Sequence, residues 1–187
     1  MKKAVYVLGS ELIYFLIIFI CAFAGIISPF CWVFQPVISI FFAAAPVYWL
    51  CLRLKKPGTL ALLPGIFVVL MIAMGEYHGA VQIGAAIAAL VIGEVVRLLI
   101  GYDNIKGIRY GYAFAGLVSA CQPLWLWINK EAYYEVALAE IGKEAYAAGL
   151  MPYASPVCLA VLILLGVCAG CFGCVAAEKI FKEENTN

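Results

Sequence analysis

The sequence predicts an all-α integral membrane protein of six transmembrane helices, with both termini in the cytoplasm. Hydrophobic residues make up 66% of its 187 positions and charged residues 12%, against about 45–50% and about 25% in soluble domains. Mean hydropathy is +1.04, so a water-soluble fold of this size would lack the polar groups to cover itself. The few charges cut the chain into six apolar runs, and basic residues gather in every second gap. Lys2, Lys3, Arg53, Lys55, Lys56, Arg97, Lys106, Arg109, Lys179 and Lys182 fall in one set of gaps, and only Lys130 and Lys143 in the other. That bias orients a multi-spanning protein with its basic loops inside. Spans of about 20 residues each make 1–187 a single membrane domain, with no room for a soluble catalytic or nucleotide-binding domain. A net charge of +1 provides no basic surface for nucleic acid.

Span one is expected at residues 8–27. Lys2-Lys3 before an apolar stretch resembles a signal peptide, but the run is long and no A-x-A-like site follows it, so it reads as a retained span. Ser28-Pro29-Phe30 makes a short external turn, since proline ends a helix at the residue before it. Span two, 32–52, contains Pro36 and Pro46, which membrane helices tolerate when neighbours satisfy the freed carbonyls. After the basic inner loop at 53–58, span three (59–74) is short and carries Pro64-Gly65. Gly75-Glu76-Tyr77-His78-Gly79 is an external loop. Span four, 80–100, holds Glu94 and Arg97 at i, i+3, a spacing that pairs them on one face. A polar inner loop at 101–109 leads to span five, 110–128, which closes with Pro123, Trp125 and Trp127 near a membrane–water interface. In the external segment 129–155, Tyr134, Leu138, Ile141 and Ala145 recur at helical spacing, with Glu131, Glu135 and Lys143 off that face. This predicts an amphipathic helix lying over the outer mouth as a lid, ended by Gly149 and Pro152. Span six, 156–177, runs into a charged tail.

Chemistry is sparse along this scaffold. There is one histidine, and no H-E-x-x-H, G-x-S-x-G or Walker A motif, so neither catalysis nor an intrinsic cofactor is expected. Most of the eight cysteines sit in apolar runs and read as small hydrophobes. Cys168, Cys171 and Cys174 have a C-x-x-C-x-x-C spacing that suits a metal or Fe–S site, but among Gly166, Gly170 and Gly173 they read as helix packing, with no metal. Small pairs at Ala85/Ala89 and Gly166/Gly170 suit either packing within the bundle or docking of another subunit. Glu11 and Glu94, near inner span ends, read as interfacial charges paired with Lys or Arg. The outer side collects Gln35, Glu76, Tyr77, His78, Gln82, Trp125, Trp127, Asn129, Glu131, Tyr133 and Tyr134. Aromatics with a few polar groups suit a small-molecule pocket, and equally an interfacial belt. Five outer glutamates (Glu76, Glu131, Glu135, Glu140, Glu144) against Lys130 and Lys143 disfavour an anionic ligand.

The order of these features resembles the MptD-type (Trep_Strep) substrate-binding subunits, or S components, of energy-coupling factor (ECF) transporters. The likeness covers nearly the whole chain: Ser28-Pro29-Phe30, Pro46-Val47-Tyr48, the loop Arg53 to Gly58 leading to Thr59-Leu60-Ala61-Leu62-Leu63, Glu131-Ala132-Tyr133-Tyr134 after a Trp-rich span, and a Gly-rich last span. The resemblance implies a multi-pass protein of a bacterial plasma membrane that captures a micronutrient. A separate membrane coupling subunit (the T component) and two ABC ATPases would supply energy from ATP. The implied ligand is a vitamin, a tetrapyrrole such as haem, or a metal chelate, with His78 as a candidate axial ligand if it is haem. Docking in the family uses small residues on the first helices, for which this chain offers Ala22, Ala24 and Gly25, without a clean A-x-x-x-A. A stand-alone permease or channel is the alternative, and an intramembrane enzyme a third reading.

Overall fold

The computed structural model describes residues 2–77 and 79–183, with the side chains of 4–77 and 79–181. They form α1 (Lys2–Ile27), α2 (Pro29–Leu54), α3 (Thr59–Ala73), α4 (Ala80–Ile100), α5 (Ile105–Ala115), α6 (Trp125–Ile128), α7 (Lys130–Ile141), α8 (Glu144–Leu150) and α9 (Pro156–Glu183). Short 3-10 turns occupy Gly116–Ala120 and Met151–Tyr153, and no strand occurs among the described residues. Four helices, α1, α2, α4 and α9, are long and apolar enough to cross a bilayer. Their outward faces present large apolar side chains, among them Leu12, Phe19 and Ile27 on α1, Leu99 on α4 and Phe172 on α9. Such continuous apolar surface is stable against lipid and not against water. The protein is an all-helical integral membrane protein.

The 15-residue α3 is apolar but spans only about 22 Å at 1.5 Å per residue, short of a hydrocarbon core of about 30 Å. The turn expected at 28–30 shrinks to one residue. Ser28 is the N-cap of α2, its hydroxyl accepting from Cys31 N at 3.2 Å, and Pro29 opens the helix, where its missing N–H costs nothing. Pro36 and Pro46 lie inside an unbroken α2.

Close backbone approach holds the bundle together. Gly107, Gly111 and Ala115 recur every fourth residue on α5 and face α4. A Cβ on Gly111 would meet Gly93 O at 2.7 Å, and one on Gly93 would meet Ala115 Cβ at 2.7 Å. On α9, a Cβ on Gly170 would meet Ala113 Cα at 2.8 Å, and one on Gly166 would meet Leu117 Cδ2 at 2.8 Å. Gly166 and Gly170 therefore pack within the bundle. Cys168 faces outward, whereas Cys174 is buried.

Charged residues at the end of the bundle opposite the 28–30 corner depart from expectation. Glu94 and Arg97 do not pair. Glu94 Oε1 instead accepts from Leu60 N (2.8 Å) and Ala61 N (3.1 Å). The first turn of α3 has free N–H groups and a positive dipole end, and its N-cap, Gly58, makes no side-chain cap. A carboxylate from the neighbouring helix fills that role. Arg97 is fully buried, its Nη2 donating to Cys51 O (3.5 Å) and Tyr102 O (3.4 Å), with its guanidinium 5.2 Å from the Tyr102 ring centre. Among the described residues Glu11 has no basic partner: both carboxylate oxygens are buried with no hydrogen bond. Lys55–Asp103 (3.5 Å) and Arg109–Glu178 (2.7 Å) form ion pairs at the same end.

Gly111→Leu is expected to destabilise the detergent-solubilised protein by about 1–3 kcal/mol, read as a lower thermal unfolding midpoint. Gly84→Ala, with nothing within 4 Å, should leave that midpoint unchanged or slightly raised. Glu94→Ala strips the α3 cap and should cost about 0.5–2 kcal/mol in the same assay.

Candidate functional site

The site begins where the expected fifth span fails to form one helix. α5 tightens into the 3-10 turn Gly116–Ala120, and the chain turns through Cys121 to Leu124 before α6 resumes. Pro123 favours the break, because its ring crowds the preceding turn and its missing N–H leaves a helical carbonyl unpaired. The carbonyls released by the break need donors in an apolar setting. Gln82, buried in the first turn of α4, donates Nε2 to Gln122 O (2.8 Å) and Cys121 O (3.3 Å). The turn frees the Gln122 side chain to donate to Glu76 Oε2 at 3.0 Å.

Beyond the break, the single amphipathic helix expected over 129–155 is two helices. Asn129 caps α7, accepting from Ala132 N at 3.1 Å. Gly142 ends α7 in the left-handed region at φ 68°, and α8 folds back. The buried face is also different: Tyr133 and Ala137 on α7 and Ala147 and Leu150 on α8 pack with Val33 and Leu126 in a second small core. Tyr134 and Leu138 flank that core, and Ala145 is exposed. A glycine able to take positive φ makes a hairpin cheaper than one long helix, and packing on Val33 then selects the Tyr133 face.

Two aromatic side chains latch the hairpin to the α1–α2 corner. Trp32 Nε1 donates to Tyr133 OH. Tyr146 OH donates to Gly25 O, with Ser28 O 3.4 Å away. Between hairpin and corner lies a cavity of about 140 Å³, whose polar and aromatic lining is Trp32, Glu76, Gln122, Tyr133, Glu140 and Tyr146. Burial pushes the Tyr133 phenol up to about 12; the Trp32 hydrogen bond opposes this, and Tyr146, Glu140 and Glu76 add to it. Burial also raises the Tyr146 phenol. Both hydroxyls stay protonated at physiological pH and act as hydrogen-bonding groups there.

Of the residues singled out from sequence, Glu76 and Tyr133 line this cavity. Gln82 holds the chain break, and Gln35 accepts from Ser39 Oγ at 3.0 Å within α2. Trp127 Nε1 donates to Ser155 O at 3.0 Å, tying α6 to the start of α9. Trp125 packs over Gly79, where a Cβ would come within 3.1 Å of its ring. Asn129 is the α7 cap, Glu131 is an exposed residue of its first turn, and Tyr134 flanks the hairpin core. Tyr77 is buried in the main core, with no partner for its hydroxyl among the described residues. His78 lies outside the described residues. Ala22 and Ala24 are half-buried on α1; Gly25 faces inward, where a Cβ would meet the Trp32 ring at 2.5 Å. Trp32, Gln122, Glu140 and Tyr146 were not foreseen as site residues. Tyr146 reaches the site only because the chain reverses at Gly142.

A family model described as a hypothetical bacterial integral membrane protein (Trep_Strep) matches residues 1–183. The chain belongs to the Trep_Strep family. No curated protein and no solved structure matches this Trep_Strep chain.

The latch gives a direct expectation. Tyr146→Phe removes one hydrogen bond, worth about 0.5–1.5 kcal/mol, and should populate an open hairpin. Limited trypsin digestion at Lys143, at the N-cap of α8, should accelerate about two- to tenfold, as cleavage follows the open fraction.

Proposed function

We propose that this chain is the substrate-binding S component of an ATP-driven ECF importer of a micronutrient, working in the plasma membrane of a bacterium. The observation that carries the reading is the roofed cavity: a small aromatic and carboxylate-bearing chamber at one end of an apolar bundle, closed by a latched hairpin. The sequence has no nucleotide-binding motif, so ATP hydrolysis falls to two partner ABC ATPases, coupled through a membrane T component. In this reading α3 and the α5-to-α6 stretch complete six spans. The basic loops face the cytoplasm and the hairpin faces outside. Ligand enters under the hairpin, and the coupling subunit drives release on the inner side.

The chamber also bears on which micronutrient fits. Ligand pockets usually run from about 300 to 1,000 Å³, and this one is about 140 Å³. A tetrapyrrole needs the hairpin lifted away, whereas a vitamin-sized or smaller ligand needs far less movement. Among the implied classes the small ones are favoured.

Affinity purification of the tagged chain from its own bacterial membrane is expected to bring down two ABC ATPases and a further membrane protein. Uptake in proteoliposomes should require that whole set and ATP. Uptake by this chain alone would replace the reading with a stand-alone permease.

A further inference from the structure

We propose that the ligand of this cavity is a small organic cation, its ammonium group seated between the Glu76 and Glu140 carboxylates and its body resting on Trp32, Tyr133 and Tyr146. The proposal rests on the substrate-binding reading above and narrows its ligand class.

Charge points this way first. The described lining contains two carboxylates and no Lys, Arg or His. Among the described residues neither carboxylate forms an ion pair; the pairs there are Lys55–Asp103 and Arg109–Glu178. Gln122 donates to Glu76 Oε2, which orients that carboxylate without neutralising it. Two carboxylates on the lining of one chamber, with no described cation beside them, give it a negative field that attracts a cation.

The remaining polar groups point the same way. Trp32 Nε1 is engaged by Tyr133 OH, and Tyr146 OH by Gly25 O. The lining therefore has acceptors and ring faces to offer, while two of its donors are already committed within the protein. An anion would find repulsion here. Indole and phenol faces attract ammonium groups at close range. A bare divalent ion is a poorer match, since the described residues hold no cluster of three or more His, Cys, Asp or Glu side chains, and both phenol hydroxyls are already engaged within the protein.

Size sets the scale. The cavity of about 140 Å³ is close to the roughly 150 Å³ apolar cavity that accepts benzene. One ring, or an aliphatic cation of similar bulk, is what the latched state holds.

The test uses the full chain in nanodiscs and three single-ring probes of matched size: benzylammonium, benzyl alcohol and benzoate. Isothermal titration calorimetry should show saturable binding of benzylammonium, at least tenfold weaker binding of benzyl alcohol, and none of benzoate. Glu76→Gln and Glu140→Gln should each weaken benzylammonium about five- to tenfold. Glu140 is exposed, so Glu140→Gln should leave the unfolding midpoint in place. Equal affinity for the alcohol, preference for benzoate, binding of none of the three, or unchanged affinity in both variants overturns the proposal. So does calcium that displaces benzylammonium in the native chain and fails to bind Glu76→Gln, which would mark a metal site. Benzoate binding with ATPase-dependent uptake would sink the cation inference and leave the importer reading intact. Benzylammonium binding with partner-free uptake would do the reverse.

Discussion

Backbone carbonyls inside a membrane must find donors, and the Gln82 amide meets that requirement where it matters most. Two carbonyls exposed by the Pro123 break receive its Nε2. Without that donor, the Gln122 carbonyl would be stranded in apolar surroundings, at a cost of roughly 1–3 kcal/mol, while Cys121 O would keep only Leu124 N, at 3.3 Å. With it, the chain can stop being a span, send Gln122 towards Glu76 and lead through α6 into the hairpin. A single glutamine in the first turn of α4 thus underwrites the geometry of a site to which it contributes no lining.

Small residues provide the second constraint. Gly93, Gly107, Gly111 and Gly170 let α4, α5 and α9 touch backbone to backbone. In lipid, helix association comes from van der Waals contact and hydrogen bonds more than from the hydrophobic effect, so this closeness substitutes for the core of a soluble protein. It also explains why the charged end can hold a fully buried Arg97. Its Nη2 lies against two carbonyls and its guanidinium against an aromatic face, its Nε and Nη1 have no hydrogen-bond partner among the described residues, and Glu94 serves α3 instead.

Much of the fold was legible in the sequence and little of the site was. The long apolar runs set α1, α2, α4 and α9, and the bounds of α4 match expectation, because hydropathy and glycine punctuation act locally. Pro123 was visible, but a proline inside α2 leaves that helix unbroken, so its effect depends on what neighbours can donate. The Glu94–Arg97 spacing invited a local pair. An uncapped helix start on α3 outcompeted it, and that is a tertiary fact. In the hairpin, the Tyr134, Leu138 and Ile141 periodicity was real, but packing against Val33 chose the face one residue earlier. Trp32 and Tyr146 are 114 positions apart in sequence; no spacing rule links them, and only the reversal at Gly142 brings them to one cavity.

The latch has a mechanical consequence. Tyr146 holds the hairpin through the Gly25 carbonyl near the end of α1, and α1 is an unbroken helix of 26 residues, a rod of about 39 Å. Its far end carries an outward face of exposed side chains such as Leu8 and Leu12. Tilting that rod by about 5° about one end sweeps the other through about 3 Å, more than a hydrogen bond tolerates. Any sideways push on α1 within the bilayer plane therefore acts as a lever arm on the roof of the chamber, joining what leans on the lipid-facing surface to whether the roof stays shut.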